Sequence, residues 1–160
     1  VGALSGAQHA LKFTVVMKDR MHLVCRAGHP LSSLSEVPWR ALIDYPFVAM
    51  NAGSSVRYIT DSAFAELGVV KVPEQEVSQL TTMFGLAKAG LAVTAMPAAV
   101  MRAFDVEGVV KLPLVDPVVE RELGFIVRRG HLLSPAAEAL MKYLKGAKAR
   151  AIIQDYGYDF

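Results

Sequence analysis

The stretch Phe47-Val-Ala-Met-Asn-Ala-Gly-Ser-Ser-Val-Arg57 constrains the fold more than any other part of the chain. The apolar run Phe47 to Met50 is too short for a core helix and suits a strand buried on both faces, as in parallel sheets. Gly53 then makes a turn, and Ser54 and Ser55 stand where a helix begins, because either hydroxyl can accept a bond from first-turn amides. Val56, Ile59, Ala63 and Leu67 form the stripe of an amphipathic helix, and Gly68 sits where its C-cap belongs. A strand that turns directly into a helix belongs to an α/β sheet, whose ligands gather at the carboxyl ends of strands. Free amides at a helix start also attract anions, and Arg57, in the first turn, would add a forked cation suited to carboxylate, sulfate or phosphate. The competing reading is ordinary capping, with Arg57 paired to Asp61 one turn on.

The rest of the chain supports an alternating α/β plan. Leu11–Val16 and Met21–Cys25 read as strands, and Gly28-His29-Pro30 breaks the chain. Ser35 to Leu42 opens a short helical turn with Trp39 buried. After the helix of Val56–Leu67 come a strand at Gln75–Val77, a helix at Ser78–Ala89 stopped by Gly90, and a buried strand at Leu91–Met96. Pro97 begins a helix to Phe104, and Val109–Leu114 returns as a strand. Ser134-Pro135 is a sound N-cap and first-turn pair for an amphipathic helix through Leu144.

Composition excludes several classes. A hydrophobic fraction of 53% with 20% charged residues describes a folded chain, and a net charge of +2 with no basic stripe gives no nucleic-acid footprint. The longest apolar run, Gly90–Met101, falls short of the roughly 20 residues that span a bilayer. One cysteine forbids an internal disulfide framework. Strand alternation sets His22 and Cys25 on opposite faces, against a metal site with His29, and Cys25 reads as a small buried hydrophobe. The serines lack a nucleophile-elbow motif, the four histidines have no evident acid partner, and the Gly53 loop lacks the lysine of a phosphate-binding loop. Nothing calls for catalysis, a metal or a cofactor. The pairs Glu74/Glu76 and Glu120/Glu122 can each share a strand face, or line a solvated edge.

Several motifs in fixed order resemble one family. Cys25-Arg-Ala-Gly-His-Pro-Leu31, Trp39-Arg-Ala-Leu42, Tyr45-Pro-Phe47, Gly53-Ser-Ser-Val-Arg57, Ala89-Gly-Leu91 with Met96-Pro97, and Leu133-Ser-Pro-Ala-Ala137 are similar to the effector-binding domain of LysR-type bacterial transcriptional regulators. The resemblance, over about residues 10 to 144, implies a type 2 periplasmic-binding-protein-like α/β fold: two lobes joined by two crossover strands, with a small molecule in the cleft between them. Met21–Val24 matches the outward crossover and Leu123–Val127 the return. Residues 1–20 would then be a remnant of lobe one, 21–122 lobe two, and 123–160 the return to lobe one with C-terminal helices. The first lobe is expected to be incomplete, and with it the helix-turn-helix domain through which such regulators reach DNA. A sheet lacking strands leaves backbone unpaired and apolar faces bare, which points to association with a second chain or to marginal stability, and the resemblance implies a homodimer.

Carried over by position, Val48, Ala49, Met50 and Asn51 would form one wall of the ligand site, with Ser54 and Ser55 at its mouth, Arg57 beside them and Ser5 facing them. The resemblance thus implies a cytoplasmic ligand-sensing and oligomerisation domain that takes a small, anionic effector, with no membrane partner and no enzymatic activity. The tail supplies an alternative. Ala149-Arg-Ala-Ile-Ile153 followed by Tyr156-Gly-Tyr158 resembles the last helix of extracytoplasmic oxyanion-binding proteins, which serve ABC-type transporters. An enzyme on the same lobes is the reserve reading.

Overall fold

The computed structural model describes residues 10–155. They divide into two compact units, one of residues 20–119 and one of residues 10–19 with 120–155. The strands are β1 (Leu11–Arg26), β2 (Val37–Pro38), β3 (Val48–Met50), β4 (Gln75–Val77), β5 (Thr94–Pro97), β6 (Val109–Val115) and β7 (Glu120–Arg128). The helices are α1 (Ser55–Glu66), α2 (Leu80–Lys88), α3 (Pro135–Lys145) and α4 (Ala147–Asp155), with 3-10 turns at Pro30–Ser33, Trp39–Asp44 and Ala98–Ala103.

β1 is one strand of 16 residues where the apolar pattern suggested two. The polar interruption at Lys18-Asp-Arg20 does not break it, because Asp19, 1% exposed, is paired with Arg121 at 2.9 Å. A buried carboxylate without such a partner would be far costlier.

In the unit of residues 20–119, β1 lies antiparallel between β5 and β6, with Leu23 opposite both Ala95 and Leu112, and β2 runs parallel to β6. β3 is parallel to β4 and is linked to the approach of β5 by a parallel bridge between Phe47 and Val93. Two further bonds hold that link: the Val48 N–H donates to the Val93 carbonyl at 3.0 Å, and the buried Thr94 hydroxyl donates to the Val48 carbonyl at 2.8 Å. Under the sheet, Phe64 of α1 meets Trp39 and Phe47 edge-on, with ring centroids 5.4 and 5.6 Å away. Trp39, Phe64, Met21, Leu23 and Met96 are all essentially sealed from solvent, each contributing about 1.5–3 kcal/mol of burial. Cys25 packs among them, and burial raises its thiol pKa.

Both helices of this unit end alike. Gly68, at φ +71°, lets its own N–H bond to the Ala65 carbonyl and the Val69 N–H to the Phe64 carbonyl, closing α1. At Gly90 the Leu91 N–H is drawn back to the Leu86 carbonyl, so the strand expected at Leu91–Met96 begins at Thr94 instead. The helix expected from Pro97 to Phe104 is a 3-10 turn, a segment too short to repay α-helix nucleation.

The other unit is leaner. β7 pairs with the first half of β1, the Arg129 N–H donating to the Ala10 carbonyl at 2.8 Å. α4 covers one side through Ala149 and Ile153, which meet Val16, Met17, Phe125 and Leu144. α3 is capped by the Ser134 hydroxyl, which accepts from the Ala137 N–H, with Pro135 following it. No residue of α3 is fully buried.

Candidate functional site

Because β3, β4 and β5 run in the same direction, their carboxyl ends share one edge of the larger unit. β3 leads into α1 there, β4 into α2 and β5 into a 3-10 turn. The helix starts therefore turn their positive ends toward this edge.

The turn after β3 is built by its own backbone. The Asn51 N–H donates to the Val77 carbonyl of β4 at 2.8 Å, and the Ser54 N–H donates to the Asn51 carbonyl at 3.3 Å. Gly53, at φ +92°, completes the reversal in a conformation that disfavours a side chain. Ser54 is the N-cap of α1: its Oγ accepts from the Arg57 N–H at 3.0 Å, while its carbonyl accepts from the Tyr58 N–H. That accounting leaves the amides of Ser55 and Val56 ahead of any intrahelical acceptor. Asn51 and Ser55 are exposed, and Ser54 is half-buried.

Arg57 is engaged on three sides. Its Nε meets both Asp61 carboxylate oxygens at 2.8 Å, the pairing foreseen as the plain alternative to anion binding. Its Nη1 donates to Glu76 of β4 at 2.7 Å and to the Met50 carbonyl of β3 at 3.2 Å. Glu76 first, and Asp61 after it, raise the arginine's pKa, with burial working the other way. The fork thus ties α1, β3 and β4 together behind the turn. Its positive charge is already matched by two carboxylates.

The strand residues divide. Val48 and Ala49 are 0% and 3% exposed, and their side chains belong to the core. Met50, 9% exposed, is the last before the open edge and lies opposite Val77 in register. Ser5 lies outside the described residues. Val77, Ser78 and Gln79, read from the sequence only as a strand end and a helix start, stand at the matching strand-to-helix step of β4 and α2, where the helix begins at Leu80 rather than Ser78. The signal was present: a short strand entering a helix directly, as at Met50. α2 differs in having no side-chain cap bond from its N-cap residue, Gln79.

At the opposite end of β3, Lys71 donates to the Ile43 and Tyr45 carbonyls at 3.2 and 2.9 Å and to Glu74 at 3.1 Å. Glu74 in turn accepts from the Phe47 N–H. His29 accepts at Nδ1 from the Leu31 N–H and meets the Tyr45 ring edge-on, and burial lowers its pKa. Among the described residues no cluster of three or more histidine, cysteine or acidic side chains is placed to hold a metal. No described helix is long and apolar enough to cross a membrane.

A mixed α/β sheet with helix starts gathered at the carboxyl edge is the architecture of periplasmic-binding-protein-like domains. It superposes on the effector-binding domain of QuiR in complex with shikimate with a TM-score of 0.74 at 22% identity, covering 87% of this chain and 66% of that one. The BenM effector-binding domain with its effector benzoate matches with a TM-score of 0.74 at 20% identity, over 91% of this chain and 65% of that one. The family model of the LysR substrate binding domain matches residues 1–149, and the chain belongs to that family. Its sequence is 33% identical over 135 residues to the HTH-type transcriptional regulator YbhD of Escherichia coli, covering 84% of this chain and 43% of that protein. The chain therefore spans less than half the length of that relative. Such relatives are transcriptional regulators rather than enzymes, which displaces the transport reading suggested by the tail.

Proposed function

We propose that this chain is the ligand-sensing part of a LysR-type transcriptional regulator, and that it takes a small anionic effector at the turn of residues 51–55. The observation that carries the reading is the pair of uncapped amides at Ser55 and Val56, set at the carboxyl end of β3 beside exposed Asn51. Main-chain donors at a helix start favour a carboxylate or phosphate without further charge. Arg57 then serves the site from behind, fixing the turn, because its charge is matched by Asp61 and Glu76. Met50 and Val77 supply an apolar floor for the guest's carbon skeleton. Shikimate and benzoate, bound by the two structural neighbours, are carboxylates of this size.

Effector binding can act on a regulator only through different affinities for two arrangements of the protein. The DNA-reading heads belong to the whole regulator, which works in the cytoplasm as a homodimer. Calorimetric titration of the chain with small mono- and dicarboxylates, benzoate and shikimate included, tests the site. At least one acid is expected to bind, and Ser54→Ala with Ser55→Ala to weaken it about tenfold, because an uncapped helix start holds its amides less still. Loss of the Ser54 cap costs about 1 kcal/mol of helix stability, so the fold should survive. Affinity unchanged in the double variant would reduce the turn to a cap.

A further inference from the structure

We propose that Arg20 is a second anchor of the effector site and that the guest is therefore a dianion, with one anionic group on the amides of Ser55 and Val56 and the other on the Arg20 guanidinium. The inference rests on the carboxylate reading above and narrows the class of acid that the site admits.

The register of the sheet brings Arg20 to the same edge as the turn, and both lie within the unit of residues 20–119. β1 runs antiparallel to β5 with Met21 opposite Pro97, so Arg20, one residue back along β1, stands beside Ala98, where β5 has just ended. That is the carboxyl edge at which β3 gives way to the turn of residues 51–55. Because β5 lies between β3 and β1, two strand spacings, about 10 Å, separate the end of β3 from the backbone of Arg20. An arginine arm spans part of such a gap, and a guest the size of a benzene dicarboxylate spans the rest.

The state of the side chain selects the guest. Alternation along β1 sets Arg20 with His22 on the face opposite Met21 and Leu23, and Arg20 is half-buried there. Its Nε is sealed from solvent, and no described residue accepts a hydrogen bond from it. Buried polar groups are nearly always paired in folded proteins, and a charged donor is among the costliest to leave unmatched. The adjacent carboxylate is already engaged, because Asp19 holds Arg121 at 2.9 Å. Arg57 makes the contrast: Asp61, Glu76 and the Met50 carbonyl all accept from it. Amides at a helix start can hold a monoanion unaided. A guanidinium at the same edge adds affinity only for a guest that carries a second anionic group, which its fork can grip through two parallel bonds.

The test is calorimetric titration of the 160-residue chain with acids that differ by one carboxylate, terephthalate against benzoate and glutarate against pentanoate, with circular dichroism as the control for folding. At least one diacid is expected to bind about tenfold more tightly than its monoacid, the scale of one charge-assisted hydrogen bond. Arg20→Gln should bring that pair to parity and leave the monoacid's affinity unchanged. Arg20→Lys, which keeps the charge but loses the fork, should leave an advantage of about threefold, and it keeps the test open if the glutamine variant does not fold. Diacids no tighter than monoacids in the unaltered chain would overturn the proposal. So would an advantage undiminished in either variant, or a monoacid affinity that falls as far as the diacid's, the mark of a merely structural arginine. Benzoate binding that weakens in the Ser54 and Ser55 double variant, with no diacid advantage, overturns Arg20 alone and upholds the turn. A diacid advantage that Arg20→Gln removes upholds Arg20 even if the serine changes have no effect.

Discussion

Replacing Arg57 with alanine removes in one step the links between α1, β4 and the last residue of β3. Its bonds differ in worth. The Asp61 pair, one helical turn away and with a carboxylate side chain 52% exposed, is a surface ion pair of about 0.3–0.5 kcal/mol. Glu76 lies at 2.7 Å across to β4 with its side chain 47% exposed, and contributes about 0.5–1 kcal/mol. The bond to the Met50 carbonyl at 3.2 Å comes from a charged donor that is itself 16% exposed, and adds about 1 kcal/mol. The sum is about 2 kcal/mol, or roughly 4–8 °C in Tm for a chain of this size. Urea titrations of the wild type, Arg57→Ala, Arg57→Lys and Glu76→Gln would read it directly. Lysine keeps the charge but cannot fork toward Asp61, Glu76 and Met50 together, so it should recover less than half of the loss. In about 1 M salt, where the Debye length shrinks to about 3 Å, the ion-pair share should fade and the Met50 share persist. An Arg57→Ala chain that melts within about 0.5 kcal/mol of wild type, the usual range of an idle surface substitution, would refute the idea that this side chain holds the edge together.

Two further outcomes are expected. Gly124→Ala should cost about 1–3 kcal/mol by urea denaturation, because its Cβ would meet main-chain atoms of Thr14 that have no rotamer to escape into; a variant as stable as wild type would mean the two strands can part cheaply. Glu74→Gln should show a pH-dependent penalty. The Phe47 N–H, helped by Lys71, holds the Glu74 carboxylate below its ordinary 4.5, so the unfolded chain binds that proton more readily. The stabilisation is present above pH 4.5 and is lost as the pH falls toward the lower native value, so the gap between wild type and variant should narrow over that acid range. A gap that stays constant with pH would show that the amide hydrogen bond carries no charge dependence.

The parts of the fold that follow local rules are legible in the sequence. The Ser54 cap, the Gly68 and Gly90 terminations and the buried run of β3 each depend on residues within a turn or two, and each appears where the spacing put it. Long-range pairings were not legible. Lys18-Asp-Arg20 looked like a break in β1 because Asp19 finds Arg121 a hundred positions away, and no periodicity reports such a partner. Arg57 shows the same limit within the site. Its pairing with Asp61 can be read from spacing on a helix, but Glu76 and the Met50 carbonyl reach it only once β4 lies beside β3. Glu74 and Glu76 could be read as a shared strand face or a solvated edge, yet one braces Lys71 at the start of β3 and the other Arg57 at its end.

That division bears on the site itself. Val48 and Ala49, carried over by position as wall residues, have side chains sealed in the core, so any contact they make with a guest must come from the backbone. Main-chain groups are also what the helix start offers, at Ser55 and Val56. An anion site made of amides needs those amides held still, since a turn free to rearrange would lose the alignment that gives dipoles their effect. The bonds of Arg57 to its three partners, the Asn51 bond to Val77 and the cap on Ser54 are the restraints that hold them. On the proposed reading, the charged residue nearest the turn acts on an effector through the geometry it enforces. Loosening that geometry should lower affinity for a carboxylate even in a variant that keeps both serines.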